Sequence, residues 1–186
     1  MKILNYLIII FICINPSVKA DSKKTFINEL QKGGKLIFIR HAYAPGGGDP
    51  DNFDINDCKT QRNLSDSGRL QSQKIGNFFE KNKISIGKVY SSEWCRCKET
   101  ASIAFKDFST KSFLNSFYSS KFSANKYPQI KRLKKFVNDW DGNKNLIFVT
   151  HYVVINELFN YSPNSGEIII ADKNYNVLDN VLISFN

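Results

Sequence analysis

Histidine is scarce in this chain, which has only His41 and His151 among its 186 residues. The four cysteines do not combine with them at the spacing of a zinc site, so no metal and no cofactor are expected. The sequence also has no P-loop and no cluster of carboxylates near the histidines, which argues against magnesium-dependent phosphate chemistry. No repeat of solenoid period is found. These absences leave the two histidines as the first candidates for chemistry.

Long apolar runs are absent except near the start, where residues 3–14 are mostly apolar. This stretch is shorter than the roughly 20 residues that a membrane-spanning helix needs. A basic start, a short apolar segment and small residues leading to Ala20 are typical of a secretory signal peptide. We therefore predict a signal peptide over residues 1–20, cleaved after Ala20, and a single domain over residues 21–186. The mature protein is expected to be periplasmic or secreted, with no stable membrane insertion.

Acidic residues are outnumbered by basic ones, 17 against 26, and the net charge is +9. Such a surplus favours anionic partners through long-range attraction but names none of them. Residues 131–135 concentrate four basic side chains on one side of a predicted helix, which a solvated surface explains without further assumption. A nucleic-acid partner would depend on this surplus of lysine alone, so none is expected.

Two short apolar runs, residues 35–41 and 145–151, each end in a histidine. Near-continuous apolar character over this length predicts strands covered on both faces, as in a parallel sheet. Ligand sites in such sheets lie just beyond the carboxyl ends of the strands. Arg40, His41 and His151 should therefore meet at one edge of the sheet.

Strand and helix patterns alternate through most of the length, which predicts an α/β fold: a three-layer α/β/α arrangement with a mostly parallel central sheet. One helix carries an apolar stripe of Leu70, Ile75, Phe78 and Phe79. The last two strands are candidates for antiparallel additions. Helices are predicted over residues 22–32, 65–81, 92–105, 126–140 and 153–159, and further strands over residues 86–91, near Phe113, and over residues 166–171 and 176–185.

A third segment brings another arginine to the same edge. After the strand that ends at Ser91, two serines turn the chain and Arg96 follows about one helical turn later. Two arginines and two histidines at one edge form a pocket for a doubly charged tetrahedral anion, because guanidinium groups match phosphate oxygens in bidentate geometry and stay charged. A phosphoryl group bound without magnesium is the expected ligand.

At this point the chain resembles the histidine phosphatase (phosphoglycerate mutase-like) superfamily, and especially its small bacterial members without a cap, such as phosphohistidine phosphatases and exported relatives. The resemblance covers residues 35–167 and implies the phosphoglycerate mutase-like fold. It is carried by Arg40-His41, by the helix start at residues 63–72, by the segment Ser91-Ser92 through Arg96 to Ala101, and by Thr150-His151.

The resemblance also implies roles for the four pocket residues. His41 would attack phosphorus and become a phosphohistidine, which divides a difficult transfer into two easier steps. Arg40 and Arg96 would bind the phosphate oxygens, and His151 would add a donor as charge develops. The implied partner is a small phosphorylated substrate or a phosphorylated component of the cell envelope, hydrolysed as a phosphomonoester or a phosphoramidate.

The leaving-group acid is where the chain departs most from the family pattern. Many members have a carboxylate where this chain has Asn115 and its neighbours, and Glu93 replaces the usual small residue after the two serines. Asp49, Asp54 and Asp57 in the long polar loop of residues 42–63 are candidate proton donors, although each is also a common turn residue.

Two alternatives follow from this departure. A phosphoramidate needs less acid assistance, and a protein with no donor at all could be a non-catalytic binding protein for phosphorylated envelope sugars or lipids. A mutase is disfavoured by the predicted export and the short chain.

Two further residue types in this region are open to interpretation. Three cysteines remain after residue 20, and in an oxidising compartment Cys58 is predicted to bridge to either Cys95 or Cys97. Arg62 could reach the phosphate or a substrate carboxylate, although a surface arginine is the better interpretation.

Overall fold

The computed structural model describes residues 27–184. The predicted signal peptide over residues 1–20 and the first part of the predicted helix over residues 22–32 lie outside the described residues. Residues 27–31 are helical, as expected for the remainder of that helix. Within the described part of the chain, no helix is long and apolar enough to cross a membrane.

Six strands and four longer helices follow within residues 32–184. The strands are β1 (Leu36–Arg40), β2 (Ile86–Ser91), β3 (Ser109–Thr110), β4 (Asn145–Thr150), β5 (Glu167–Ala171) and β6 (Val177–Leu182). The helices are α1 (Asp66–Lys81), α2 (Cys95–Phe105), α3 (Lys126–Asn138) and α4 (Tyr152–Phe159). Short 3₁₀ turns occur at Cys58–Thr60, Ser112–Leu114 and Ser120–Asn125.

The strands form one sheet in the order β3-β2-β4-β1-β5-β6. Strands β1 to β4 are parallel to one another. As predicted, the last two strands are added by antiparallel pairing: β5 pairs with β1, and β6 pairs with β5. Arg40 lies beside Thr150 in the register of β1 and β4, and Ser91 lies beside Val149 in that of β2 and β4. Because the carboxyl ends of these three strands coincide within a residue, the side chains that follow them meet at one edge.

Both faces of the sheet are covered, which is why its central strands are continuous apolar runs in the sequence. Alternate residues point to opposite faces. One face packs against α1 and α2, and the other against α3 and α4. The first core includes Ile37, Ile39, Ile147, Val149, Ile75 and Ala101, and the second includes Leu36, Phe38, Phe148, Leu133, Val137 and Ile155. The predicted three-layer arrangement is confirmed.

The predicted apolar stripe of α1 is wrong at Leu70, whose surface is 46% exposed. The buried face instead includes Gly68 and Gln71. A Cβ on Gly68 would lie 2.0 Å from the carbonyl oxygen of Tyr43, and the Gln71 amide bonds Tyr43 N and Ser165 O at 2.8 Å each. The rotation of α1 is therefore fixed by the close backbone approach at Gly68 and by the buried amide of Gln71. Neither of these contacts is apolar.

The strand predicted near Phe113 exists but lies earlier, at Ser109–Thr110. Residues 112–114 form a 3₁₀ turn, and the edge strand β3 lies before it, paired with the end of β2. Phe113 and Leu114 are buried against α3, and Thr150 Oγ1 donates to the carbonyl oxygen of Leu114 at 2.6 Å. The apolar character of Phe113 and Leu114 therefore reflects a turn packed onto the core beside the end of β4.

Candidate active site

His41 follows β1 directly and is buried. Its Nδ1 lies 2.8 Å from the carbonyl oxygen of Ala42. Since a carbonyl can only accept, Nδ1 carries the proton and Nε2 keeps its lone pair. Burial lowers the pKa of His41 well below its usual value of 6.5, and the positive charge of Arg96 lowers it further. The imidazole is therefore neutral, with its lone pair on Nε2.

Arg96 links His41 Nε2 to the loop of residues 42–63 through hydrogen bonds. It lies in the first turn of α2 and is buried, and its Nε donates to His41 Nε2 at 3.2 Å. Its two terminal nitrogens bind the carboxylate of Asp49, Nη1 to Oδ1 at 2.7 Å and Nη2 to Oδ2 at 3.2 Å. The terminal nitrogens of the guanidinium thus bind the carboxylate while its Nε contacts the imidazole. A planar group with five donors can make both contacts at once.

Asp49 is the one candidate proton donor of the three that lines the cavity around His41. Burial alone would raise its pKa, but hydrogen bonds from Arg96 and Trp94 lower the pKa below its ordinary value. The indole Nε1 of Trp94 donates to Oδ2 at 3.0 Å and the backbone N of Arg62 donates to Oδ1 at 3.0 Å. Asp49 is therefore an ionised clamp for Arg96.

The other two candidate donors are turn residues. Asp54 Oδ1 accepts from the backbone N of Asn56 at 2.9 Å, and Asp57 Oδ1 accepts from the backbone N of Lys59 at 2.9 Å. Asp57 caps the 3₁₀ turn at Cys58–Thr60. Neither side chain lines the cavity of His41.

His151 follows β4 and lies with its ring centroid 5.5 Å from that of His41. Its Nε2 is 2.9 Å from Ser92 Oγ, and that hydroxyl donates to Asn115 Oδ1 at 3.1 Å. Because Ser92 has a single hydroxyl proton, the bond with His151 is one in which Nε2–H donates to the serine oxygen. Burial lowers the pKa of His151 well below its usual value, so this ring is neutral too.

Arg40 is half-buried at the end of β1. Its Nη1 donates to the carbonyl oxygen of Pro163 at 2.8 Å, and its guanidinium carbon lies 5.4 Å from the ring centroid of Tyr152. The Nε of Arg40 is buried and has no hydrogen-bond partner among the described residues. The contact with Tyr152 and the bond to Pro163 hold the cation beside His41 while leaving donors for a ligand.

These four residues line one cavity of about 460 Å³, so the predicted convergence of His41, Arg40, Arg96 and His151 is what the structure shows. Arg62 also lines it, half-buried, with its Nε donating to the carbonyl oxygen of Gly48 at 2.9 Å. The interpretation of Arg62 as a surface residue is therefore wrong. Across residues 27–184, no three His, Cys, Asp or Glu side chains form a group suited to a metal ion.

The predicted disulfide joins Cys58 to Cys95, and Cys97 is free and buried. It ties the loop of residues 42–63 to the start of α2. Nearby, Gln61 Oε1 accepts from the backbone N of Cys95 at 2.9 Å. The loop that supplies Asp49 is thus fastened to the helix that supplies Arg96.

Three contributors were not found from the sequence: Trp94, Asn115 as a partner of Ser92, and Tyr152. Trp94 and Tyr152 each sit one or two residues from a motif residue, Trp94 after the serine pair and Tyr152 after His151. This closeness to motif residues is the sequence signal that could indicate a place in the site. In the sequence Asn115 marks only the place where an acid is lacking, and in the structure its amide donates to Glu93 Oε2 at 2.6 Å.

The neutral histidines make stability depend on pH. Their pKa values are lowered in the folded protein, whereas the unfolded chain takes up protons near 6.5. Below that pH the unfolded state binds more protons, so stability is fully present above it and is lost as pH falls. We expect the free energy of unfolding in urea to fall by up to about 1.4 kcal/mol per pH unit for each histidine between about pH 6.5 and 5.5. A double variant His41→Asn/His151→Asn should show a flatter dependence, and an unchanged slope would contradict this origin.

Several solved structures share this architecture, at low sequence identity. The protein histidine phosphatase SixA complexed with tungstate is 17% identical, over 81% of this chain and 97% of that one, with a TM-score of 0.56. TTHB049 from Thermus thermophilus is 12% identical, over 80% and 99%, with a TM-score of 0.58. The open reading frame Rv3214 from Mycobacterium tuberculosis is 14% identical, over 82% and 98%, with a TM-score of 0.57.

No protein-family model and no curated protein matches the chain. At these identities the likeness to solved structures concerns the fold. The predicted phosphoglycerate mutase-like fold is confirmed, and with it, at the level of the fold, the resemblance drawn from the four sequence segments.

Proposed function

We propose that this chain, which has the fold of the histidine phosphatases, is a metal-independent phosphatase that uses His41 as its nucleophile. The substrate is a phosphomonoester or a phosphoramidate. The observation that supports this most is the state of His41: a buried, neutral imidazole with its proton fixed on Nδ1 and its Nε2 facing a guanidinium. A ring held in this tautomer has its lone pair on the nitrogen that must attack phosphorus.

In the first step, the lone pair of His41 Nε2 forms a bond to phosphorus. The bond from phosphorus to the leaving oxygen or nitrogen breaks with its electron pair, and the leaving atom takes a proton from solvent. The ring then carries a positive charge, which the carbonyl oxygen of Ala42 stabilises through Nδ1–H. Arg40 and Arg96 offset the charge on the phosphoryl oxygens. Positioning and electrostatic stabilisation supply most of the acceleration in this kind of transfer.

In the second step, water attacks the phosphohistidine. An oxygen–phosphorus bond forms, the bond to Nε2 breaks, and the electron pair returns to the ring, while a proton of the water passes to solvent. His41 is then neutral again with its proton on Nδ1. Inorganic phosphate leaves the cavity, and no metal enters either step.

The cavity favours substrates with good leaving groups. Two carboxylates line it: Asp49, which is ionised and clamped by Arg96 and Trp94, and Asp51, which is exposed. Neither is a buried carboxylic acid of the kind that protonates a poor leaving group. A phosphoramidate, or a phosphomonoester of an acidic alcohol, requires less of this assistance and is the substrate type that we propose.

A second candidate is a non-catalytic binding protein that uses the same cavity for phosphorylated envelope sugars or lipids. The hydrogen bonds between Asp49 and Arg96 favour this candidate, because with Asp49 held as a carboxylate no general acid is evident among the described residues. The two candidates differ in whether His41 becomes covalently phosphorylated.

Export is part of the proposal, and two features support it. Residues 1–20 have the pattern of a signal peptide. The Cys58–Cys95 disulfide is of the kind that persists in an oxidising compartment such as the periplasm. The substrate would then be a phosphorylated molecule of the cell envelope or its surroundings.

The test uses purified residues 21–186 with acetyl phosphate, phosphoramidate and a panel of phosphomonoesters, each with and without a chelator. We expect phosphate release that the chelator does not change, and an acid-labile, base-stable phosphoenzyme in rapidly quenched samples. Phosphate release that disappears with the chelator would contradict the metal-independent mechanism. Binding of phosphate without release or label would favour the second candidate.

A further inference from the structure

The cavity is much larger than a phosphoryl group. Its volume of about 460 Å³ is within the range of sites that enclose whole drug-sized ligands. A phosphoryl group has only a few heavy atoms and would fill the end beside His41 and Arg96. The remaining space is available to the leaving group of the substrate, so the lining of that space bears on what the leaving group is.

Much of the remaining lining is aromatic. We call Phe53, Tyr118, Phe122 and Tyr152 the ring subsite, since all four line the cavity. Trp94 joins it to the phosphoryl end: its ring lies 5.3 Å from that of His151, 5.0 Å from that of Phe53 and 5.6 Å from that of Phe122.

Tyr118 and Tyr152 connect the subsite to the phosphoryl end by a second route. Their ring centroids are 5.8 Å apart, and the Tyr152 ring lies against the guanidinium of Arg40. Two separate chains of aromatic contacts thus begin at residues of the phosphoryl end and continue into the same cavity.

Another part of the lining has no side chains at all. Gly46, Gly47 and Gly48 contribute only backbone to the cavity. Gly46 and Gly48 have φ values of +85° and +69°, which L side chains rarely adopt. A Cβ built on Gly47 or Gly48 would meet nothing within 4 Å, so this part of the loop leaves open space.

Tyr118 is the member of the subsite whose position is hardest to explain by packing. It is 60% exposed, whereas the other three members of the subsite are partly buried. Exposure alone is no signal, since Tyr127 is 77% exposed and lines no part of the cavity. The difference is that Tyr118 presents its ring beside the phosphoryl end, in contact with Tyr152.

We propose that the substrate carries a ring in its leaving group, aromatic or pyranose, and that this ring packs against the ring subsite with Tyr118 as the main contact. Aromatic faces bind rings through dispersion, and they bind aromatic rings through edge or stacking contacts as well. The orientation assumes the proposed function, in which the phosphoryl group lies at His41. Tyr118 is a specificity residue in this proposal and takes no part in bond breaking.

The experiment measures binding by calorimetry and does not depend on turnover. Methylphosphonate and phenylphosphonate share the phosphoryl-like group and differ in the ring, and neither can be hydrolysed by the proposed mechanism. We expect Tyr118→Ala to weaken phenylphosphonate binding by about threefold to tenfold and to leave methylphosphonate binding unchanged. Tyr127→Ala is the matched control and should change neither. Cyclohexylphosphonate shows whether a saturated ring is also accepted: weaker binding in Tyr118→Ala places such a ring on the same subsite, and unchanged binding restricts the subsite to aromatic rings.

The inference is overturned if Tyr118→Ala leaves phenylphosphonate binding unchanged, or weakens both phosphonates equally. Its failure is distinct from failure of the proposed function. A protein that hydrolyses phosphoramidate but shows no dependence on Tyr118 keeps the function and loses the ring subsite. A protein that forms no phosphoenzyme but binds phenylphosphonate through Tyr118 keeps the ring subsite as the site of a binding protein.

Discussion

His41→Asn is expected to abolish phosphate release, lowering kcat by at least about a thousandfold. The asparagine amide can still donate to the carbonyl oxygen of Ala42, as His41 Nδ1 does, so the backbone turn after β1 should be kept. What is lost is the lone pair of Nε2, and without it no covalent intermediate can form. The measurement is steady-state hydrolysis of the best substrate of the panel, together with phosphoenzyme trapping.

A folding control is needed because His41 is buried. Far-ultraviolet circular dichroism and the urea midpoint of His41→Asn at neutral pH should remain close to those of the wild type. Methylphosphonate should still bind, since Arg40 and Arg96 remain in place. His41→Ala, which loses the bond to Ala42 as well, should be equally inactive. A folded His41→Asn protein with wild-type rates would show that another group attacks phosphorus.

The fold and the central residues of the site could be predicted because both depend on patterns within short segments of the sequence. An apolar run covered on both faces gives a parallel strand, and the residue that follows the run is carried to the edge where ligands bind. His41 and His151 each follow such a run, and the register of Arg40 with Thr150 brings them together. A short segment of sequence contains all of this information.

The support of the site could not be predicted in the same way. Asp49 meets Arg96 across 47 residues, and nothing in the polar loop of residues 42–63 marks it above Asp54 or Asp57. All three aspartates suit a turn, and two of them are used in that way. The pairing depends on how the loop closes over α2, which the disulfide and the Gln61 bond to Cys95 determine in three dimensions.

The errors in the fold have a related cause. Apolar character places Leu70 on the buried face, and the strand expected near Phe113 lies earlier, whereas polar or backbone contacts set the observed structure at both positions. Gly68 and Gln71 fix the face of α1 through Tyr43, and Thr150 fixes the turn at Leu114. Apolar periodicity predicts that an element exists more reliably than it predicts how the element is rotated.

The charges of the cavity explain why an anion would bind there. Arg40, Arg62 and Arg96 line it, and Asp49 is bound directly to one of them. Burial, and after it the positive charges, keep both histidines neutral by lowering their pKa values. A phosphate dianion would reduce this surplus of positive charge without requiring either histidine to be protonated first.

Arg96→Lys should lower kcat/KM by about a hundredfold to a thousandfold, although the positive charge is retained. Arg96 donates to His41 Nε2 and to both oxygens of Asp49 at the same time, and a single ammonium group cannot make these contacts in the same geometry. We expect most of the loss to appear in kcat, because displacing the cation weakens its contact with the transition state more than its contact with bound substrate.

Arg69→Lys is the matched control: Arg69 pairs with Asp66 and Glu99 away from the cavity, and its replacement should leave kcat/KM within about twofold. If Arg96→Lys is folded and keeps kcat/KM within about threefold of wild type, the guanidinium geometry is not what drives the transfer, and charge alone would be sufficient.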